Sequence, residues 1–487
     1  MVITQKKITS SFVLKIAERT VSYGISLVVQ IVLARILFPS DFGSLAIMIA
    51  ITNYAMLFVQ SGLPTALIRK KEIDQDDVST VFTASIVVAL IMYIAIFILA
   101  PFLSYYFNNS ELIWPIRVLS LTLFLYAING VQNALFTRSF RFKQVLIKSL
   151  ISVPLSGVIG IAFASLGLGI WSLIAQNFMS ILITVIVMLY GLDYRLKIGF
   201  RWEKAKALYS FGGKILVTNL VNGLYDASRT LAIGKQYNSD SLAYYDKANT
   251  YTYYINQIVN SSISSVLLPT FSQKQNDIER LCEMARKSVR MSSFLMMPAL
   301  IGCATISRVL IPLLLTEKWA ACIPFFVVFC FIRIPEIIKT IDIQVYYSLG
   351  KSGLHLYYSV IMCGLSIIAL LISLYINVLA VAFAALIVEY LSLIVVCIIS
   401  CRVFGYKVSE RIKDIIKPLS NSAIMAIVVF ALGYYLSFSP VVSIVLQVAT
   451  GIVVYLIMAF ITRDGSLNEV LYMFKDFKGR RKSEENN

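Results

Sequence analysis

The first long apolar stretch of the chain decides its class. FVLKIAERTVSYGISLVVQIVLARILFPSDFGSL, residues 12–45, is mostly apolar from Phe12 to about Phe38 and then turns at Pro39-Ser40-Asp41. About 20 apolar residues suffice for a helix to cross the hydrocarbon core of a bilayer. The stretch is too long for the apolar region of a signal peptide and lacks a small-residue cleavage site. We therefore interpret it as a first membrane span that the protein retains.

The composition extends this interpretation to the whole chain. Of the 487 residues, 58% are hydrophobic and 14% charged, and the mean hydropathy is +0.79. Soluble domains are about 45–50% apolar and about 25% charged. The same length rule predicts an all-α integral membrane protein of about fourteen spans, centred near Leu27, Ala55, Leu90, Leu123, Val158, Leu182, Asn222, Gln257, Pro298, Ile332, Leu365, Ala385, Val428 and Val453.

The connections between these spans alternate in charge. Arg69-Lys70-Lys71 and Arg480-Arg481-Lys482 are typical of the basic set, whereas Ser165–Gly169 and Ser437–Pro440 carry no base. Basic loops stay in the cytoplasm, so both termini are predicted there, which requires an even number of spans. A net charge of +17 would suggest a nucleic-acid partner in a soluble protein. Membrane topology explains most of this charge here, and we predict no such partner.

The residues that usually build catalytic or metal sites are sparse. The chain has one histidine, His355, and seven cysteines that stand singly from Cys282 onward, without metal-ligand spacing. The outward connections are short and leave no room for an extracytoplasmic catalytic domain. We therefore predict no enzyme activity, no catalytic residue, no metal and no cofactor.

The chain resembles itself at an offset of about 200 residues. Residues 34–45 follow the first predicted span, and residues 234–245 follow the seventh in the same register. Tyr194-Arg195 after the sixth span likewise corresponds to Tyr406-Lys407 after the twelfth. Six spans per half make the repeats parallel, an arrangement that suits rocking of two lobes around a central site. The predicted division is an N-lobe at 1–207 with spans 1–6, a C-lobe at 208–405 with spans 7–12, spans 13–14 at 406–465, and a basic cytoplasmic tail at 466–487.

Two spans at matching positions of the repeat carry polar stripes. The residues of these stripes recur every three or four positions and so share one helical face: Lys15, Arg19, Ser22, Ser26 and Gln30 in the first span, with Asn219, Asn222, Asp226 and Thr230 in the seventh, flanked by Lys214 and Arg229. Each charge facing lipid at mid-bilayer would cost at least about 2.5–3.5 kcal/mol. The stripes must therefore face protein or water. Ion pairs such as Asp226 with Arg229 are one explanation, and the lining of a substrate cavity is the one that we favour.

The eighth span adds amides and tyrosines. Asn249, Tyr253, Asn256 and Asn260 share one face, and such side chains suit the many hydroxyl groups of a sugar. They equally suit hydrogen bonds between helices. The intramembrane bases could bind a pyrophosphate, since guanidinium and ammonium groups bind such an anion strongly in a low-dielectric cleft; these bases are Lys15, Arg19, Lys214, Arg229 and Lys247.

Charged residues also occur in the later spans. Arg333, Glu336, Lys339 and Asp342 in the tenth span could neutralise one another, whereas Glu389 in the twelfth has no basic residue within one turn. For Asp226 and Glu389 two interpretations are open. They could couple transport to H+ or Na+, or be structural acids held by hydrogen bonds.

Several motifs, in order along the chain, resemble those of a known family. These are Ala34-Arg35-Ile36-Leu37-Phe38-Pro39-Ser40-Asp41-Phe42-Gly43, Gly167-Leu168-Gly169-Ile170-Trp171-Ser172-Leu173, Phe211-Gly212, Tyr244-Tyr245-Asp246-Lys247-Ala248, Leu268-Pro269-Thr270-Phe271-Ser272 and Glu317-Lys318-Trp319. Together they resemble the Wzx-type polysaccharide-export flippases of the multidrug/oligosaccharidyl-lipid/polysaccharide exporter superfamily. The resemblance covers essentially the whole chain.

The resemblance implies a MATE-like fold of fourteen helices in two lobes around a cationic cavity. It further implies that undecaprenyl-pyrophosphate-linked oligosaccharide repeat units are flipped to the outer leaflet of a bacterial inner membrane, for capsule, O-antigen or exopolysaccharide synthesis. The implied partners are this lipid-linked oligosaccharide, membrane lipid and other proteins of polysaccharide assembly.

Two other functions remain alternatives. An ion-coupled exporter of small cationic compounds should have more intramembrane acids than bases, but here bases are at least as frequent. A membrane glycosyltransferase or polymerase is the other alternative, because Asp74-Gln75-Asp76 matches a DxD signature for a metal and a sugar nucleotide. We favour a helix cap for these acids, since they directly precede the apolar run that begins at Val78.

Overall fold

The computed structural model describes residues 5–60, 62–70, 72–139, 141–192, 194–272, 274, 276–435 and 439–467. The side chains of residues 5–20, and of shorter stretches that include parts of the predicted seventh and eighth spans, lie outside this description. The predicted basic tail lies outside it from residue 468 onward.

The described residues fold into α-helices joined by short connections. In the first half the helices are α1 (Gln5–Ile36), α2 (Pro39–Gln60), α3 (Leu63–Arg69), α4 (Gln75–Tyr106), α5 (Ile113–Ser120), α6 (Thr122–Arg138), α7 (Phe142–Ser165) and α8 (Ile170–Leu189). They continue with α9 (Trp202–Gln236), α10 (Ser239–Ser272), α11 (Ile278–Leu315), α12 (Ile323–Ser348), α13 (Ser352–Leu374), α14 (Val378–Phe404), α15 (Val408–Tyr435) and α16 (Pro440–Ile461).

Length and apolar composition identify the helices that can cross a membrane. Among the described residues, eleven segments qualify: α2 with α3, α4, α5 with α6, α7, α8, and each helix from α11 to α16. The described end of α1, Val21–Ile36, is a shorter apolar helix. The prediction of an all-helical, multi-pass membrane protein is thus confirmed. The seventh and eighth predicted spans coincide with α9 and α10, which are helical but not among the eleven, so the count of fourteen stays a prediction.

The helix ends follow the offset of the internal repeat. α1 ends at Ile36 and α9 at Gln236, while α2 begins at Pro39 and α10 at Ser239. The backbone closes in the same way at both turns, because Leu37 N donates to Leu33 O over 2.9 Å and Tyr237 N donates to Ile233 O over 3.0 Å. The offset of about 200 residues in the sequence is therefore also an offset in helix boundaries.

The two repeat-related turns touch each other. α2 packs against α9, and the backbone of Ser239 approaches Gly43 so closely that a Cβ at position 43 would collide with the Ser239 carbonyl group. Gly234 lies in a similar position against the side chains of Ile47 and Leu242. Two glycines thus allow the first turns of α2 and α10 and the last turn of α9 to pack together.

Two compact units can be distinguished within the fold. Unit 1 comprises residues 1–247 and 359–380, and unit 2 comprises 248–358 and 381–487. Their boundary at residue 247 follows packing density and differs from the predicted lobe boundary at residue 207. The lobe prediction concerns which helices move together, and it stays a prediction.

Each unit has its own apolar core. In unit 1, α3, α4 and α6 enclose a cluster around Leu67, Val81 and Val131. In unit 2, α11, α12 and the turn that follows α14 enclose another cluster around Val289 and Ile341. The predicted final spans, α15 and α16, pack against α11. These cores hold in place the polar side chains described below.

The contact between the two turns leads to a testable prediction. Gly43→Ala places a methyl group against the Ser239 backbone, which cannot move aside as a flexible side chain can. We therefore expect the free energy of unfolding to fall by about 1–3 kcal/mol. Thermal unfolding of the purified variant should show a lower melting temperature. Gly24→Ala is the matched control, because its added Cβ meets nothing within 4 Å. Equal melting temperatures for the two variants would contradict the proposed contact.

Candidate functional site

The polar residues of the first span meet α8 and α10. Gln30 Oε1 accepts a hydrogen bond from Lys247 Nζ over 2.5 Å, and its amide nitrogen lies 3.5 Å from Gln176 Oε1. Lys247 is buried, with its ammonium group 3.8 Å from the centre of the Phe42 ring. Two residues predicted from separate spans, Gln30 and Lys247, are thus direct partners.

Nearer the start of α1, Ser22 and Ser26 are partly buried. Ser22 Oγ has no hydrogen-bond partner among the described residues. Four further predicted cavity residues, Lys15, Arg19, Lys214 and Asn222, have side chains outside the description. The first stripe is therefore described only in its second half.

The stripe of α9 contains an ion pair. Arg229 Nη1 lies 3.0 Å from Asp226 Oδ1, and the arginine side chain is 12% exposed. The guanidinium group also lies 5.4 Å from the ring centre of Tyr225 and 5.5 Å from that of Tyr245. Asp226, in contrast, is 69% exposed, and Asn219 on the same helix is exposed too. The predicted pairing of Asp226 with Arg229 is present, yet the carboxylate is not enclosed by it.

In unit 2, α10 and α12 share a polar network. Asn256 Nδ2 donates to Glu336 over 2.9 Å, and Arg333 pairs with the same carboxylate at 2.8 Å. Arg333 also donates to the Asn249 side-chain oxygen over 2.5 Å. Further along the helices, Asn260 donates to Thr340 Oγ1 over 3.4 Å. The three predicted amides of α10, Asn249, Asn256 and Asn260, are therefore all engaged with α12.

Glu389 has a basic partner that the sequence did not indicate. Lys339 Nζ on α12 lies 2.5 Å from Glu389 Oε1 on α14. The same ammonium group donates to Ser392 Oγ over 2.7 Å, and this hydroxyl shares a hydrogen bond with the Tyr358 hydroxyl of α13. The network is hidden from the sequence because its members come from three helices. The only hint is that α12 carries charge at every third position from Arg333.

The sequence allowed the four charged residues of α12 to neutralise one another, but in the structure only two of them pair together. Arg333 and Glu336 do pair on the helix surface, but Lys339 pairs with Glu389. Asp342 accepts two hydrogen bonds from Arg411, at 2.7 and 3.1 Å. Only the first two charges pair within α12, as residues three apart can; Lys339 faces an acid of α14 and Asp342 a base of α15 instead.

The acids before α4 form a helix cap. Asp74 accepts a hydrogen bond from Asp77 N over 2.8 Å, and Asp77 accepts one from Asp74 N over 3.1 Å, which is a capping box. Lys204 pairs with Asp74, and Arg201 with Asp76 at 2.9 Å. The hydrogen bond from Lys204, with that from the Asp77 backbone, holds the pKa of Asp74 well below its usual range. The predicted capping role is confirmed.

The same helix end binds the segment that connects α8 to α9. The amide of Gln75 donates to Arg195 O over 2.5 Å and accepts from Arg195 N over 3.2 Å. Thr83 Oγ1 likewise donates to Gly199 O over 3.1 Å and accepts from Gly199 N over 2.9 Å. Side chains of α4 thus satisfy the backbone of an irregular segment, which fixes the start of α9.

Two solved structures have a fold similar to that of this chain. The lipid II flippase MurJ in an inward closed conformation aligns with a TM-score of 0.77 at 15% identity, covering 93% of this chain and 99% of that one. An inward-facing multidrug resistance MATE family transporter of the MOP superfamily aligns with a TM-score of 0.60 at 14% identity, covering 83% and 98%. The fold is MATE-like, as predicted.

The family follows from the sequence comparison. The polysaccharide biosynthesis protein family matches residues 32–324, more than half of the chain, and the protein belongs to it. The predicted resemblance to polysaccharide flippases is thereby confirmed.

Curated relatives carry consistent names. The succinoglycan biosynthesis transport protein ExoT of Rhizobium meliloti is 27% identical over 65% of this chain and 64% of its own length. The teichuronic acid biosynthesis protein TuaB of Bacillus subtilis is 22% identical over 84% and 86%, and the lipopolysaccharide biosynthesis protein WzxC of Escherichia coli is 25% identical over 63% and 63%. The alignments with ExoT and WzxC thus span just under two thirds of those proteins.

The cap at Asp74 yields a prediction that separates structure from catalysis. Asparagine caps helices about as well as aspartate, whereas loss of the cap to alanine costs about 1 kcal/mol. We therefore expect Asp74→Asn to support normal surface polymer in a complementation assay, and Asp74→Ala to lower the melting temperature of the protein. A metal-binding DxD motif would behave differently, because Asp74→Asn would abolish function while leaving stability nearly unchanged.

Proposed function

We propose that the protein is a flippase that moves undecaprenyl-pyrophosphate-linked oligosaccharide repeat units from the inner to the outer leaflet of a bacterial cytoplasmic membrane. The product would supply the synthesis of a surface polysaccharide such as capsule, O-antigen or exopolysaccharide. Membership of the polysaccharide biosynthesis protein family carries this proposal. The fold shared with MurJ supports it, since the name of that protein gives lipid II as its cargo.

The exposed part of α9 supports a water-accessible cavity. Asp226 is 69% exposed on a helix that coincides with a predicted span. A carboxylate facing hydrocarbon at mid-bilayer is costly, and intramembrane charges usually face water or protein. The exposed face of α9, with Asp226 and Asn219, is therefore best explained as lining a path for a polar head group.

The polar side chains divide into two chemical groups that suit the two parts of such a head group. Arg229, Lys247 and the other predicted bases suit the pyrophosphate. Asn256, Asn260 and the tyrosines of α10 suit sugar hydroxyls, with flat apolar faces beside amide donors and acceptors. In this conformation the two amides donate to Glu336 and Thr340 of α12, so binding of a sugar would replace these hydrogen bonds. In the proposed cycle the lipid tail remains in the bilayer while the head group crosses.

The mechanism that we propose is alternating access of the two predicted lobes. The contact between the first turns of α2 and α10 supports it. By the charge pattern of the connections, these turns lie at the outer side, so a head group can leave outward only after they separate. The proposed topology has both termini in the cytoplasm. Membrane lipid and other proteins of polysaccharide assembly are the proposed partners, and no nucleic acid is among them.

A second candidate function is the ion-coupled export of small cationic compounds. The likeness to a MATE transporter, with a TM-score of 0.60, favours it as the alternative. Such a substrate needs intramembrane acids without basic partners. In the described part of unit 2, Glu336 and Glu389 both have basic partners, which supports an anionic or neutral head group instead.

The proposed function is tested by deleting the gene in its host. Wild type should restore surface polymer and relieve the accumulation of lipid-linked repeat units on the cytoplasmic leaflet. Arg19→Ala and Asp226→Ala should reduce polymer about tenfold or more, because each removes a charge from the proposed cavity. Polymer is measured on the cell surface, and lipid-linked oligosaccharides in extracts.

Glu111→Gln is the matched control, since it removes an exposed carboxylate outside the long helices. Each variant is first shown to reach the membrane at wild-type amounts. Unchanged polymer in the deletion strain, together with greater sensitivity to cationic dyes, would favour the drug exporter and refute the flippase.

A further inference from the structure

A connected polar network crosses the interior of unit 2. It comprises Lys339 of α12, Tyr358 of α13, and Glu389 and Ser392 of α14. Lys339, Ser392 and Tyr358 are buried, and the Glu389 side chain is 22% exposed. We refer to these four residues as the α12–α14 network. Its ammonium group links the carboxylate to two hydroxyl groups in series.

The network lies deep in the membrane. Glu389 is 11 residues from the start of α14 at Val378, which is about 16 Å along a helix. Lys339 is nine residues from the end of α12 at Ser348, or about 14 Å. The hydrocarbon core is about 30 Å thick, so the ion pair is near its middle. Ionisable groups are rare at this depth and are commonly part of an ion or proton path.

The composition of the network favours a proton over a metal cation. Na+ would need several oxygen ligands around it, but the Lys339 ammonium group occupies the position beside the Glu389 carboxylate. No cluster of three or more acids, histidines or cysteines that could hold a metal occurs among the described residues. A proton needs only the carboxylate oxygen, and serine and tyrosine hydroxyls both donate and accept hydrogen bonds.

We propose that Glu389 in the α12–α14 network is a proton-binding site that couples the transport cycle to a proton gradient. The inference rests on the proposed flippase function and names its coupling ion. In one state of the proposed cycle, Glu389 is ionised and pairs with Lys339, as in the structure. Uptake of one proton converts the carboxylate to a carboxylic acid and changes the charge of the pair from zero to +1. Release of the proton restores the pair.

Protonation has a structural consequence because Lys339 has a second acid nearby. Glu336 is three residues earlier on α12, and its charge acts on Lys339. Residues three apart share a helical face, so the ammonium group can turn from Glu389 on α14 towards Glu336 on its own helix. The ionic tie between α12 and α14 therefore exists only while Glu389 is ionised. A proton thus controls one of the ties between the two helices, whereas the hydrogen bonds from Tyr346 to Val396 and Ser400 do not depend on it.

Other charged and titratable groups face the α12–α14 network and influence the protonation of Glu389. Arg333 and Glu336 approach from α12, and both act electrostatically on Glu389. On α13, His355 stacks on Tyr358 with ring centres 6.1 Å apart, and Lys339 acts on it. Tyr390 is the next residue on α14, with its hydroxyl 3.5 Å from Phe331 O. From α10, Tyr253 lies against Arg333.

The test uses the purified full chain in proteoliposomes that contain undecaprenyl-pyrophosphate-linked oligosaccharide extracted from the deletion strain. Outer-leaflet oligosaccharide is measured with membrane-impermeant periodate, under an imposed pH gradient or an imposed Na+ gradient. If one proton is coupled to each transport cycle, a gradient of one pH unit should change the ratio of lipid-linked oligosaccharide between the two leaflets by up to about tenfold for the wild-type protein. The Na+ gradient should have no effect.

Glu389→Gln should still exchange lipid between leaflets but lose the response to the pH gradient. Tyr358→Phe should weaken the response, whereas Tyr357→Phe, which removes one hydroxyl from the neighbouring, exposed position of α13, should behave as wild type. If Glu389→Gln alone fails to fold, the double variant Lys339→Met with Glu389→Gln replaces it. The double variant removes both charges together, so no unpaired charge is left buried, and it should also lose the response to the pH gradient.

The outcomes separate this inference from the proposed function. A pH response that survives in the double variant, or a wild type driven by Na+ or by neither gradient, would refute the proton site and leave the flippase intact. A wild-type protein that moves no lipid-linked oligosaccharide at all would refute the flippase itself, and with it the coupling.

Discussion

Charge inside a bilayer must meet an opposite charge, a hydrogen bond or water, and the polar architecture of this protein follows from that constraint. In unit 2, Glu336, Glu389 and Asp342 each face a base, two of them on a different helix. These pairs tie α12 to α14 and α15. In unit 1 the constraint is met differently, because Asp226 pairs with Arg229 and yet stays largely exposed. The enclosed pairs suit a device that holds helices together, and the exposed one suits a surface that meets polar cargo.

Features set by local sequence were predictable. The spans follow from the length of apolar runs, and the turn at Pro39 recurs at Ser239 because the same spacing is encoded twice. The cap at Asp74 is also local, since all of its backbone partners lie within three residues. The motifs from Ala34 to Gly43 and from Tyr244 to Ala248 are local as well, and both lie within residues 32–324, which match the family.

Pairings across helices could not be predicted from one sequence. Lys339 and Glu389 are 50 residues apart, and Gln30 and Lys247 are 217 apart. Helical periodicity shows which residues share a face, but it does not show which helix that face meets. Glu389 therefore looked isolated in the sequence although a base from α12 contacts it. For the same reason, the sequence indicates which residues form the polar stripes, but it does not indicate which of these residues bind the substrate.

The central claim is that a lipid-linked anionic sugar is the cargo of this protein. Reconstitution of the purified protein tests it directly, with undecaprenyl-pyrophosphate-linked oligosaccharide, undecaprenyl pyrophosphate without sugar, and a cationic dye assayed side by side. We expect protein-dependent movement of the oligosaccharide-bearing lipid between leaflets, slower movement of the bare lipid, and no transport of the dye. Transport of the dye without movement of either lipid would contradict this claim.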